Sequence, residues 1–147
     1  GVGVVEVYEL DHGSARLVNL SSRLTVGNGA SIGFAGFVVS GPVPKKFLIR
    51  GIGPTLARFG VPNPLADPNL SVVGPASTVV AANDNWGTAS NAADIVIASA
   101  SVGAFALPAS SSDAAVLVTL APGAYTASVS GANGTRGVAL IEVYEVP

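Results

Sequence analysis

The chain of 147 residues is 49% hydrophobic and only 11% charged, with a net charge of −2 and no Cys. Against a usual charged fraction of ~25%, and with a mean hydropathy of +0.56, this excludes a disordered chain, which needs low hydrophobicity and high charge. It also excludes the basic footprint of a nucleic-acid binder, a helical membrane span, for which no apolar run is long enough, and all disulfide, thiolate-metal and thiol chemistry.

Valine-rich runs punctuated by Gly, Pro, Asn and Ser recur about every 10 to 15 residues, the rhythm of an all-β fold. They predict strands over residues 2–10, 15–20, 32–40, 46–52, 78–82, 114–120, 124–130 and 138–146. Between the strands, Pro54-Thr55-Leu56-Ala57-Arg58-Phe59 followed by Gly60 predicts one or two helical turns, with Pro at the first position and Gly past the end. Residues 61–68, rich in Pro, read as an ordered surface loop. Residues 90–100 carry an N-cap candidate, Ala-rich helix formers and apolar spacing near 3.6, which favour a helix; β-branched Ile95-Val96-Ile97 fits a strand as well. Ala121-Pro122-Gly123 joins two strands by a turn of type II composition. In Tyr125-Thr126-Ala127-Ser128-Val129-Ser130 the alternation is clearest, apolar to one face and hydroxyl to the other.

The two extremities repeat each other. Gly1-Val2-Gly3-Val4-Val5-Glu6-Val7-Tyr8-Glu9-Leu10 matches Gly137-Val138-Ala139-Leu140-Ile141-Glu142-Val143-Tyr144-Glu145-Val146 at a constant displacement of 136 positions. Gly1, Val2, Glu6, Val7, Tyr8 and Glu9 recur identically, and the other positions are conservative. Nothing between the two segments is duplicated. Val5, Val7 and Glu9 share one face of such a strand; Val4, Glu6, Tyr8 and Leu10 share the other, an amphipathic face expected near a sheet edge or a subunit seam. Three arrangements fit. The chain is one period of a tandem array, with both boundary strands kept. Or equivalent grooves receive the two strands, one in its own fold and one in a neighbour, with backbone pairing supplying affinity and alternation supplying register. Or both strands pair inside one pseudo-symmetric sheet. The chain begins Gly1-Val2-Gly3 and holds no Met, as expected of a processed product, an excised repeat or an incomplete chain.

Ala15-Arg16-Leu17-Val18-Asn19-Leu20-Ser21, Phe47-Leu48-Ile49-Arg50-Gly51-Ile52-Gly53-Pro54-Thr55-Leu56, Asn83-Asp84-Asn85-Trp86-Gly87, Val102-Gly103-Ala104-Phe105-Ala106-Leu107-Pro108 and the closing run from Gly123-Ala124-Tyr125-Thr126 to Glu142-Val143-Tyr144 carry a resemblance. Together they resemble a repeat-type domain of very large secreted surface proteins of environmental Gram-negative bacteria. The second half also resembles bacterial pre-peptidase C-terminal-type modules, with an acidic-amide turn ahead of a Gly-Ala-Tyr-Thr strand. Both resemblances imply a noncatalytic extracellular β-sandwich.

Candidates for chemistry are few. His12, the sole histidine, lies in Asp11-His12-Gly13-Ser14; a catalytic Ser–His–Asp set needs a serine elbow, and no Gly-x-Ser-x-Gly occurs. Gly51-Ile52-Gly53-Pro54 has the look of a phosphate loop, but Pro54 removes an N–H that would bind the anion. Asn83, Asp84 and Asn85 offer oxygen ligands for calcium, or form an Asx-rich turn that holds Trp86 against the core. An exposed Trp86 would stack on a sugar ring. Asn19-Leu20-Ser21, Asn69-Leu70-Ser71 and Asn133-Gly134-Thr135 match the N-glycosylation pattern. Lys45 and Lys46, the only lysines, read as solvated edge protection.

These readings predict one domain over residues 1–147: an all-β, jelly-roll-like sandwich with one or two short helices. The expected function is structural and non-enzymatic, a subunit or tandem module of an extracellular or cell-surface filament or layer, partnered by copies of itself and joined head-to-tail by strand complementation. The residues expected to carry assembly are Val2, Val4, Glu6, Tyr8 and Leu10 with Val138, Leu140, Glu142, Tyr144 and Val146. The alternative is a carbohydrate- or calcium-binding module of a larger secreted protein, built on Asn83, Asp84, Asn85 and Trp86.

Overall fold

In the computed structural model, which describes residues 3–9 and 16–147, the alternating apolar runs lay down eight strands. They are β1 (Asn19–Val26), β2 (Gly33–Val39), β3 (Lys45–Ile52), β4 (Pro68–Val73), β5 (Val79–Asn83), β6 (Ala114–Leu120), β7 (Gly123–Gly131) and β8 (Gly137–Val146). One helix, α1 (Ala92–Ser101), and short 3-10 turns complete the elements. The strands form two four-stranded sheets, ordered β1-β8-β3-β6 and β2-β7-β4-β5, and every strand pairing is antiparallel. This is the sandwich expected from the sequence.

The inner faces meet in a core that includes Ile49, Ile141 and Val143 from the first sheet and Leu70, Val72, Ala127 and Val129 from the second. Each such buried side chain stabilises the fold by about 1.5–3 kcal/mol relative to exposure. Gly51 lets the sheets close: a Cβ there would stand 3.0 Å from Val129 Cγ2 and 3.6 Å from Leu70 Cβ.

The outer faces differ. Ile95 and Ala98 of α1 pack on Leu48 and Ala115 of the first sheet, together with Trp86. That cover explains why β3 is buried without interruption from Phe47 to Ile52, as strands covered on both faces are. The same packing decides between helix and strand for residues 90–100. Ile95, Ala98 and Ser99 face inward at helical spacing, while Val96 and Ile97 are left exposed. Among the described residues the second sheet has no such cover, and Phe34 and Val38 of β2 are exposed.

Several expectations need correction. Residues 3–9, expected within a strand over 2–10, adopt no regular secondary structure, while Val2 and Leu10 lie outside the described residues. The strand placed at 15–20 starts at Asn19 and runs on to Val26, where Leu24 and Val26 reach the core. The Pro-rich loop stops at Pro68, where β4, an unexpected strand, begins. Its Pro68, Leu70 and Val72 are buried in alternation, and Pro is tolerated as the first residue of a strand. Pro54–Phe59 is a 3-10 helix closed by Gly60 at φ 71°. Lys45 and Lys46 open an interior strand, between β8 and β6, so they do not protect an edge. Among the described residues, no helix is long and apolar enough to cross a membrane.

Candidate assembly site

The second copy of the duplicated segment, β8, fills a groove between β1 and β3. Its Glu142 lies opposite Ser21 on one side and Arg50 on the other, and its Tyr144 opposite Asn19 and Leu48. Alternation divides the strand as the sequence predicts. Ala139, Ile141 and Val143 enter the core between the sheets, whereas Tyr144 and Val146 turn outward to pack with α1 and its neighbours.

On the outward face Glu142 is buried within its own molecule, while Leu140, Tyr144 and Val146 are half-buried. Arg50 is 0% exposed. It donates to Glu142 Oε2 from Nε at 2.8 Å and from Nη2 at 2.5 Å, and to the Phe105 carbonyl from Nη1 at 2.6 Å. The Phe105 ring lies under the guanidinium, 4.5 Å from its centroid, an arrangement that offsets part of the cost of burying the charge. Tyr144 donates its hydroxyl to the other carboxylate oxygen, Glu142 Oε1, at 2.8 Å. Burial, and then the hydrogen bond to Glu142, push the Tyr144 hydroxyl from 10.0 up to about 12. A buried pair of this kind adds little net stability, but removing one partner strands a charge. It therefore fixes register: a slip of one residue would carry Glu142 into the core and Ile141 under Phe105. At the strand's end, Glu145 accepts from Arg16 at 2.5 Å and from Lys45 at 3.4 Å.

The first copy is placed quite differently. Within residues 3–9, Val5 is 92% and Tyr8 72% exposed, and no strand pairs with the segment among the described residues. Tyr8 nonetheless donates to Glu6 Oε1 at 3.0 Å, the same bond two residues apart that Tyr144 makes to Glu142. The backbone N–H of Leu17 donates to Glu9 Oε2 at 2.8 Å.

Other candidate residues have structural duties. Trp86 is 5% exposed; its ring packs in the core under α1, and its Nε1–H donates to the Pro108 carbonyl and to Ser111 Oγ. It therefore offers no platform for a sugar, correcting that expectation. Asn83 accepts from the Ala115 N–H and donates to the Asn85 carbonyl, so its amide closes the loop onto β6. Asp84 is exposed. Among the described residues, no three His, Cys, Asp or Glu side chains converge on one point. His12 lies outside the described residues.

Sequence reasoning missed two residues. Arg50 was read as part of a motif and not as the partner of Glu142; an arginine within the apolar run 47–52 and a glutamate within the apolar run 138–143 were the available signal. Asp113 is fully buried and accepts from the N–H groups of Gly53 and Thr55 and from the Thr55 hydroxyl. This internal carboxylate occupies the amide groups of the loop that has the look of a phosphate site.

No protein-family model matches the chain, and no curated protein matches it significantly. One solved structure is similar in fold, the pre-peptidase C-terminal domain of collagenase from Bacillus anthracis. It matches at 12% identity with a TM-score of 0.51, over 86% of this chain and 89% of that one. The β-sandwich architecture is thus shared with a pre-peptidase C-terminal domain.

Proposed function

We propose that this chain is a noncatalytic, extracellular β-sandwich module that assembles with copies of itself into a bacterial surface layer or filament, residues 3–9 of one copy serving as the closing strand of another. The observation that carries this reading is the contrast between the two copies of one segment. Residues 3–9 keep the alternation, the tyrosine and both glutamates of β8, yet the groove they match is already filled in their own molecule. Another copy offers them that groove where its own β8 is absent or displaced. There Val5 and Val7 take the core positions of Ile141 and Val143, Glu6 meets Arg50, and Glu9 meets Lys45. Backbone pairing on both sides supplies affinity, and the alternating side chains supply specificity. Donor strand and receiving groove are different surfaces, so the contact is heterologous, and it builds a filament where the rotation between copies does not close a ring.

Small differences favour β8 in its own groove. Val5 in place of Ile141 removes one methylene from the core, a loss of about 0.5–1.5 kcal/mol, and Gly3 in place of Ala139 fills less space. The noncatalytic part of the reading is supported by the two buried carboxylates, Glu142 and Asp113, each committed to structural partners. The extracellular part is supported by a charge-poor, Cys-free composition.

A chain of residues 1–136 has the donor segment and an open groove, and is expected to form fibres under negative-stain microscopy. Removing residues 1–10 from that chain is expected to leave dispersed particles. Fibres of unchanged repeat from the shortened chain would defeat the proposal.

A further inference from the structure

Resting on that reading, we infer that successive copies meet at one shared pole of the sandwich, the end at which β1 begins and β8 finishes, and do not stack end over end. The chain enters and leaves the fold at the same place. Asn19, the first residue of β1, lies opposite Tyr144; the Glu145 N–H donates to the Val18 carbonyl at 2.9 Å; and Arg16 pairs with Glu145. Lys45, which opens β3, reaches Glu145 from the other side. We call this the near pole. The opposite pole carries Pro54–Phe59, and also the Ala132–Gly134 turn that precedes β8.

Glu9 stands in the repeat where Glu145 stands in β8. When residues 3–9 close another copy, Glu9 therefore sits at that copy's near pole, beside its Lys45. The same Glu9 accepts from the Leu17 N–H of its own chain at 2.8 Å, and Leu17 lies at its own near pole, directly before the pairing of β1 with β8. Kept on docking, the Glu9–Leu17 hydrogen bond joins the near poles of two copies. A carboxylate has acceptor sites enough for a lysine, an arginine and an amide together. The chain agrees with the contact: Glu9 and Leu17 are eight positions apart, a reach of at most about 28 Å, comparable to the length of one strand. The spine of the assembly is then built from near poles, and the far poles point away from it.

The absence of Cys makes site-specific spin labelling direct. Arg58→Cys marks the far pole, and Ala121→Cys, next to the β6 residue that pairs with Lys45, marks the near pole. The full chain is mixed with a probe of residues 11–136, which has an open groove and no donor segment, and distances between the two chains are read by dipolar spectroscopy. The near–near distance is expected to be the shortest of the three pairings. A near–far distance shorter than it means end-over-end stacking and overturns the inference. If no complex of two chains forms while near-ultraviolet circular dichroism shows the probe folded, the strand-donor reading falls; whether or not the probe folds, the pole contact is decided by a second sample: residues 1–146 joined directly to residues 11–147. This tandem chain needs no strand exchange, and the same ordering of distances is expected within it. A near–far minimum there overturns the pole contact alone.

Discussion

The same ten-residue pattern occurs twice in this sequence; one copy is the interior strand β8, while residues 3–9 of the other are exposed and without regular structure. Intrinsic preference is similar in the two places, since two valines, the tyrosine and both glutamates recur and the other positions are conservative. What differs is the surroundings: β1 and β3 on either side, the second sheet beneath, and the Phe105 segment and α1 above. Strand formation here depends on those partners, as β-propensity generally depends on cross-strand and same-face packing.

The comparison can be broken most forcefully at the buried charge. Arg50→Ala strands Glu142 inside the fold and is expected to destabilise the sandwich by about 3–5 kcal/mol in denaturant unfolding. Glu6→Gln, at the equivalent of Glu142 in the exposed copy, is expected to change the same curve by no more than about 0.5 kcal/mol. The core positions come next. Ile141→Ala is expected to cost about 2–5 kcal/mol through lost burial and the cavity left behind, whereas Val5→Ala leaves the midpoint within about 0.5 kcal/mol of the parent. Equal effects at the paired positions would mean that the exposed segment is closing a sheet in the same molecule.

The hydroxyl of Tyr144 sharpens the contrast on a smaller scale. Its folded-state value, raised from 10.0 to about 12, means that the folded protein holds this proton after the unfolded chain has released it. The stability it contributes is complete below about pH 10 and is lost as the pH rises through about 12. Unfolding followed across that window should show the alkaline decline, and Tyr144→Phe should lessen it. The smallest effect is expected from calcium. Because the Asn83 carbonyl is occupied by the Ala115 N–H, the melting temperature in calcium should match that in chelator.

Much of the fold was legible because its strands advertise themselves by alternation. The strand at 114–120 has the bounds expected from the sequence; those near 32–40 and 124–130 shift by a residue at both ends, and that near 138–146 at one end. β4 was hidden because Pro68 suggests a loop, although Leu70 and Val72 alternate with Asn69 and Ser71. The segment at residues 3–9 was misread for the opposite reason: its pattern is a strand's, but among the described residues no strand pairs with it. In the candidate site, the duplication and the division of its faces could be read directly. The burial of Glu142 could not, because its cover, Phe105, is 37 positions away in sequence and only folding brings the two together.

The exposed placement of residues 3–9 has one further consequence. A protease can cut an extended, unpaired stretch without first opening a domain, and here no rung of either sheet would be lost. A single clip would leave each sandwich folded while detaching the element proposed to hold it to its neighbour, so the material could be dismantled into intact units without denaturing any of them.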